Sequence, residues 1–160
     1  MLVYHGSIYK IEFPDVKFSK KYLDFGQGFY LTTFQKQEEK WALRKADRIE
    51  TGIATVNIYE LKDNLKDYKV KKFDSDNESW LDFVCQCRKG EDVYKQYDLI
   101  IGPVADDDVF KTINMYFRKL WDKTKTLEEL RYYKLSNQIC ITNQKAVEKL
   151  LSFKSSYIVK

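Results

Sequence analysis

The sequence has few of the residues that bind metals or form disulfide bridges. It contains one histidine and three cysteines, Cys85, Cys87 and Cys140, among 160 residues. An odd number of cysteines with no pairing pattern indicates reduced thiols in the core, and a single histidine nearly excludes a zinc site of the usual ligand spacing. We therefore expect neither a bound metal nor a disulfide framework.

Long apolar runs are also missing. No stretch approaches the roughly 20 apolar residues that span a bilayer. The N-terminal run Met1–His5 enters strand-like sequence at once, which leaves no room for a signal peptide. The sequence thus predicts a cytoplasmic protein with no membrane partner.

Charge of one sign is not concentrated in any segment. The 28 Lys and Arg residues and 24 Asp and Glu residues are interspersed and leave a net charge of +4. A nucleic-acid-binding module is therefore weakly supported, because its basic residues usually form a stripe. The length and a hydrophobic content of 44% fit one globular domain over residues 1–160. Aromatic residues make up 16%, and Tyr and Trp also offer stacking surfaces for flat ligands.

Hydrophobic periodicity predicts strands and helices without a regular βαβ alternation, which favours an α+β fold. Three capping-box patterns, beginning at Thr32, Ser75 and Thr126, accompany predicted helix starts. On the helix predicted to start at Asp106–Asp108, we expect a buried stripe of Phe110, Ile113, Phe117 and Leu120. Strands are predicted at 2–5, 29–33, 54–61, 69–73, 97–103, 137–142 and 155–160, and helices at 34–49, from the capping box at 75 to Gly90, from 106, from 126 and at 144–151.

Two of only six glycines flank Gln27 in the stretch DFGQGFYLTT, residues 24–33. Paired glycines before a β-prone run indicate a backbone that bends sharply or approaches another group closely. A tight turn into a strand would explain Gly26 and Gly28 without any ligand. The earlier stretch YHGS, residues 4–7, makes a ligand-binding interpretation stronger.

Together, His5-Gly6-Ser7 and the run from Gly26 to Tyr30 resemble the first two signatures of ADP-ribosyltransferases of the diphtheria-toxin and poly(ADP-ribose)-polymerase class. In those enzymes a helix with a second aromatic residue follows, and Trp41 stands eleven residues after Tyr30 here. The whole chain is similar to a bacterial family of unknown function, grouped with these transferases, that carries YDxxIGPVADD and NQIC segments; both occur here, at 97–107 and 137–140. The resemblance implies an α+β split sandwich of two small, mostly antiparallel sheets with flanking helices.

The resemblance also implies that NAD is the substrate and that no metal is needed. Tyr30 and Trp41 would enclose the nicotinamide ring, and the backbone of Gly6 would pair with its carboxamide. Catalysis by such a set would be mostly positioning and electrostatics. The implied NAD-binding residues are His5, Gly6, Ser7, Gly26, Gly28, Tyr30 and Trp41, and the implied catalytic residues are His5, Tyr30 and Gln138.

Gln138 is a departure from the third signature, which is normally a glutamate on a late strand. An amide can still bond a ribose hydroxyl, but it carries no charge and cannot act as a general base. The departure favours transfer of a single ADP-ribose unit over polymer synthesis. The candidate base is then Glu38, one turn before Trp41 on the same predicted helix.

Each of these residues also has a purely structural interpretation. His5 could be a strand end, Trp41 a core residue and Glu38 a solvated helix carboxylate, and Asp106–Asp108 fit a helix start.

Four functions stay open: a mono-ADP-ribosyltransferase, an NAD glycohydrolase, a non-catalytic binder of NAD or ADP-ribose, and a nucleic-acid-binding module. A transferase would modify a protein or nucleic-acid acceptor. Small free-standing transferases often serve as the toxin of a toxin–antitoxin or defence pair, so an antitoxin protein is a candidate partner.

Overall fold

Seven strands and five α-helices form within residues 1–49, 51–75, 77–105, 107–130 and 137–160, the ranges that this computed structural model describes. The mixed α+β class is confirmed. The elements in chain order are β1 (Leu2–Ser7), β2 (Phe29–Leu31), α1 (Gln35–Asp47), β3 (Thr55–Leu61), β4 (Val70–Lys72), α2 (Glu78–Arg88), β5 (Leu99–Pro103), α3 (Asp107–Phe117), α4 (Lys123–Leu130), β6 (Asn137–Ile141), α5 (Gln144–Leu150) and β7 (Leu151–Ile158).

The strands form two small sheets, as predicted. The first has the order β1-β3-β7 and is antiparallel, and the second has the order β2-β6-β5-β4 with one parallel pair, β4 and β5. A bridge between Tyr4 and Thr32 links them through two backbone hydrogen bonds of 2.8 and 3.1 Å. Past this bridge β1 and β2 separate. We call the opening between residues 5–7 of β1 and residues 29–31 of β2 the fork.

The apolar core lies in three layers, because side chains alternate between the two faces of each strand. Between the sheets lie Val3, Phe29, Leu31, Tyr59, Leu61, Leu99, Ile139 and Ile141, together with residues of α5. On the far side of the second sheet, Tyr30, Ile100 and Cys140 pack with α2, α3 and α4. Helix α1 covers the outer face of the first sheet through Ala42.

The predicted capping boxes are wrong. Phe34, not Thr32, is the N-cap of α1. The Thr32 hydroxyl lies before the helix, where it accepts from the Phe34 N–H across 3.1 Å and donates to the Asn137 carbonyl across 2.7 Å. Asn77, not Ser75, caps α2 by accepting a hydrogen bond from the backbone of residue 80. Helix α4 begins three residues before Thr126. The last strand also starts early, at residue 151, because β7 follows α5 directly and pairs with the end of β3.

The predicted buried stripe of α3 is wrong except for Ile113. Phe110, Phe117 and Leu120 are exposed, and Val109 and Thr112 are buried beside Ile113 instead. The exposed rings cover cations: Cζ of Arg88 lies 4.2 Å from the centroid of Phe110, and Lys89 lies over Phe117. Asp106, the predicted first residue, lies outside the described residues, and α3 begins at Asp107.

Candidate functional site

The ring of His5 lies at the fork, where β1 and β2 separate. Its Nδ1 lies 2.7 Å from the carbonyl oxygen of Tyr30, and since that oxygen can only accept, Nδ1 carries the proton. The ring stacks on Phe29 with centroids 4.5 Å apart. Burial, reinforced by the charge of Lys45, lowers the pKa of His5 to about 3. The neutral ring therefore presents Nε2 as a hydrogen-bond acceptor.

The backbone of Gly6 is hydrogen-bonded to two side chains of α1. Its N–H donates to Oε2 of Glu38 across 2.6 Å, and its carbonyl accepts from Nζ of Lys45 across 2.7 Å. Helix α1 approaches so closely that a Cβ at position 6 would collide with the Glu38 carbonyl and lie 3.1 Å from the Ala42 nitrogen. The packing of α1 thus requires glycine here. The two side chains use the same backbone groups that the resemblance assigns to the carboxamide of nicotinamide.

Glu38 is not a solvated carboxylate, since only 8% of it is exposed. Burial raises the pKa of its carboxyl group to about 7, against the opposing effects of the Gly6 N–H and the charge of Lys45. Burial likewise lowers the pKa of Lys45, which Glu38 partly offsets. A carboxyl group that titrates near pH 7 suits a general base at neutral pH.

The two aromatic residues of the predicted site lie in different surroundings. Trp41 is not a core residue: it is 41% exposed on α1, with Nζ of Lys45 5.7 Å from its ring centroid. Tyr30 is anchored on the α2 side of the second sheet. Its hydroxyl donates to the Gly26 carbonyl across 2.6 Å and accepts from the Phe25 N–H across 3.0 Å. Burial raises the pKa of this hydroxyl well above its usual value.

Both glycines of the GQG stretch are required by packing. Gly26 has a φ of +72°, and a Cβ there would collide with the ring of Tyr94. A Cβ at Gly28 would collide with Sγ of Cys140. The turn therefore needs glycine whether or not it also binds a ligand.

Ser7 is buried, and its hydroxyl accepts a long 3.4 Å hydrogen bond from the backbone of residue 9.

Gln138 belongs to a buried polar network that sequence reasoning missed. Its Nε2 donates to Oδ2 of Asp24 across 3.1 Å and to the Pro103 carbonyl across 3.2 Å. Asp24 is also paired with Arg88 and accepts from the Ala105 N–H across 3.1 Å. Because both neighbours of Nε2 are acceptors, they determine the orientation of the amide. Among the described residues, Oε1 of Gln138 accepts no hydrogen bond.

The strand positions of His5 and Gln138 are close enough for one ligand. Strands β1, β2 and β6 are successive neighbours at the bridge, so the two positions are about 10 Å apart, two inter-strand spacings. Gln138 faces the α2 side together with Cys140, whereas the His5 ring lies against Phe29 on the side between the sheets. The two side chains therefore lie on opposite sides of the second sheet.

The described part of the chain holds no group of three His, Cys, Asp or Glu side chains arranged to bind a metal ion. The three cysteines are free and buried, and burial raises the pKa of Cys85 to about 11 and that of Cys87 to about 12. Such thiols are poor nucleophiles.

None of the helices within the described ranges has the length and apolar character needed to cross a membrane.

Comparison with known proteins identifies one family. A family model described as a protein of unknown function (DUF3990) matches residues 1–153, nearly the full length. No curated protein and no solved structure matches the chain. The predicted membership of a family of unknown function is thereby confirmed: the chain belongs to the DUF3990 family.

Proposed function

We propose that the chain is an NAD-dependent mono-ADP-ribosyltransferase whose site lies at the fork. One observation carries this proposal. His5, from the first signature, contacts Tyr30, from the second, through a 2.7 Å hydrogen bond between residues 25 positions apart. The signatures that resemble those of the transferases thus come together at one opening of the fold.

The hydrogen-bonding groups near the fork suit the nicotinamide riboside part of NAD. Nε2 of His5 and Oε1 of Gln138 are acceptors, and ribose hydroxyls are donors to match. The exposed ring of Trp41 offers a flat surface for the nicotinamide. Tyr30, which lies on the α2 side of the second sheet, would act by holding the turn at Gly26 in place through its hydroxyl.

The carboxamide of nicotinamide would take over the two hydrogen bonds of Gly6. A primary amide has one accepting oxygen and a donating NH₂ group, which match the N–H and the carbonyl of Gly6. Glu38 and Lys45 now make these two bonds. Binding of the carboxamide therefore releases both side chains, and Glu38, whose pKa is about 7, becomes free to take a proton.

In the proposed reaction, the bond between the pyridinium nitrogen and C1′ of the ribose breaks, and its electron pair remains on nicotinamide. A lone pair of the acceptor forms the new bond to C1′, and the proton of the acceptor passes to Glu38. We propose a protein or nucleic-acid acceptor and a role as a toxin that an antitoxin protein neutralises. Hydrolysis of NAD would differ only in that water replaces the acceptor.

A non-catalytic binder of NAD or ADP-ribose is the second candidate function. The neutral side chain of Gln138 favours it, because an amide cannot balance positive charge at the ribose as a carboxylate does. A binder and an enzyme differ in NAD turnover, so one assay separates them.

The proposal is tested by incubating the protein with a cell lysate and NAD labelled on its adenylate portion. Label in protein or nucleic acid supports the transferase. Free ADP-ribose indicates a glycohydrolase, NAD binding without turnover indicates the binder, and no binding contradicts all three. Glu38→Gln keeps an acceptor for the Gly6 N–H but removes the base, so we expect turnover to fall about 100-fold. Asp47→Asn, an exposed change on α1, is the matched control.

A further inference from the structure

We propose that Asp24 is a positioning residue that acts through Gln138 on the ribose of the substrate. The inference rests on the proposed function and adds a residue to it. Asp24 would hold the amide of Gln138 with Oε1 turned to the ligand, and its negative charge would strengthen that oxygen as an acceptor.

The hydrogen bonds around Asp24 support the first part. Only 7% of Asp24 and 7% of Gln138 are exposed, and Oδ2 of Asp24 lies 3.1 Å from Nε2 of Gln138. The Pro103 carbonyl lies 3.2 Å from the same nitrogen. Rotating the amide by half a turn would place Oε1 against these two acceptors, which is unfavourable in a buried site. The carboxylate and the carbonyl therefore keep Oε1 on the opposite side of the amide, where none of the described residues donates a hydrogen bond to it.

The charge of Asp24 supports the second part. An amide that donates to a carboxylate is polarised, so that its oxygen becomes more negative and a stronger acceptor. Oδ1 of Asp24 is bound by Arg88, whereas Oδ2 faces Gln138 and the Ala105 N–H. The ion pair anchors Asp24, and the hydrogen bond passes part of its charge to Oε1 of Gln138. Positive charge that develops on the ribose during bond cleavage would be stabilised by that oxygen.

The arrangement also explains why the residue at position 138 is neutral. A glutamate there would bring two carboxylates to about the 3.1 Å distance now seen between Asp24 and Gln138. Like charges so close raise the pKa of one of the carboxyl groups and hold it protonated. The pair Asp24 and Gln138 thus divides two tasks: Asp24 carries the charge, and Gln138 contacts the ligand.

A double-mutant cycle on NAD turnover tests the inference. We expect Asp24→Asn to lower kcat about 10- to 100-fold while KM for NAD changes little. In a Gln138→Ala background, Asp24→Asn should change kcat less than about twofold, because the residue through which it acts is gone. The matched control is Asp98→Asn, another hydrogen-bonded aspartate, whose partners are Asn143 and the Lys69 N–H. It should lower the melting temperature and leave kcat unchanged.

Calorimetric NAD binding and the melting temperature are measured for every variant. If Asp24→Asn lowers kcat by the same factor with and without Gln138→Ala, the two residues act independently and the inference is overturned. It is also overturned if kcat falls only in proportion to the drop in melting temperature. If Asp24→Asn does not fold, Asp24→Glu takes its place, and its kcat effect should likewise vanish in Gln138→Ala. A wild-type protein that neither binds nor turns over NAD overturns the proposed function as well. If the wild type turns over NAD but the double-mutant cycle shows no coupling between Asp24 and Gln138, only this inference is overturned and the proposed function stands.

Discussion

Oε2 of Glu38 lies 2.6 Å from the backbone nitrogen of Gly6, and the contact is buried between α1 and β1. A carboxyl group in this position is hydrogen-bonded yet largely removed from water. Removal from water is the larger effect, and it raises the pKa of Glu38 to about 7. The stability of the protein should therefore depend on pH through this residue.

Glu38→Gln should become more stable than the wild type as pH rises. The pKa of Glu38 is about 7 in the folded protein and 4.5 in the unfolded chain, so between these pH values the folded protein holds the proton more tightly. The free energy of unfolding of the wild type therefore falls as the pH rises from about 4.5 to 7. Glutamine does not titrate, so the advantage of Glu38→Gln should grow over this range by at most about 3 kcal/mol. Urea unfolding at pH 5 and pH 8 measures it. Asp47→Asn, an exposed change on the same helix, is the control for the loss of one carboxylate, and a parallel pH dependence in wild type and Glu38→Gln would refute the assignment.

The single histidine should stay neutral in the folded protein at any pH above 5. Its pKa is lowered to about 3, so the folded state resists protonation, and stability conferred by the neutral ring is lost as pH falls from about 6.5 towards 3. Because His5 is the only histidine, ¹⁵N shifts of its ring can be measured without ambiguity. We expect a protonated Nδ1, an unprotonated Nε2 and no titration between pH 5 and 8. A midpoint near 6.5 would mean that the ring is solvated.

Trp41→Ala should weaken NAD binding without unfolding the protein. The ring is 41% exposed, so its removal costs little core packing. Loss of one face of an aromatic stack should raise the NAD dissociation constant roughly tenfold, and Trp41→Phe should raise it less. Leu43→Ala, a similarly exposed residue of α1, serves as the control for calorimetric titration. Equal affinity of wild type and Trp41→Ala would remove this residue from the site.

Gly28→Ala should destabilise the protein in the absence of any ligand. The added Cβ would collide with Sγ of Cys140 and lie 2.7 Å from the carbonyl oxygen of Ile141. Overpacking of this kind costs about 1–3 kcal/mol in the free energy of unfolding. Cys140→Ala in the same chain should recover part of the loss, because it removes the sulfur but not the carbonyl. If Gly28→Ala unfolds at the same urea concentration as the wild type, the turn is looser than the structure shows.

Local sequence patterns predict where the strands and helices lie, but not which residues cap the helices or which helix faces are buried. Alternation and helical periodicity locate each strand and α-helix of the described ranges within a few residues, since these signals lie within short windows, but they miss the 3₁₀ helices at Val16–Phe18 and Asp92–Gln96. Sequence reasoning missed the cap at Asn77 because Ser75, with Glu78 three residues later, matches the capping-box pattern, whereas Asn77 is followed three residues later by Trp80. Phe110 packs against Arg88, a residue of another helix, so the periodicity of its own helix gives no sign of this contact.

The site shows the same division between local and distant information. Short motifs single out His5, Gly6 and Tyr30 as candidate residues, and the structure brings these three residues to one fork. The contact of Asp24 with Gln138 joins residues 114 positions apart, and that with Arg88 joins residues 64 positions apart. No spacing rule connects such residues, so only the folded chain reveals the network.

Within the described ranges, a single bridge, from Tyr4 to Thr32, joins the backbones of the two sheets. The apolar side chains packed between the sheets belong to both, so the bridge can open locally while this shared core stays packed. The amide protons of Tyr4 and Thr32 should therefore exchange with solvent faster than those inside either sheet. A molecule that lies beside the bridge would hinder this local opening. Slower exchange of the Thr32 amide would then report occupancy of the fork, whatever the chemistry that follows.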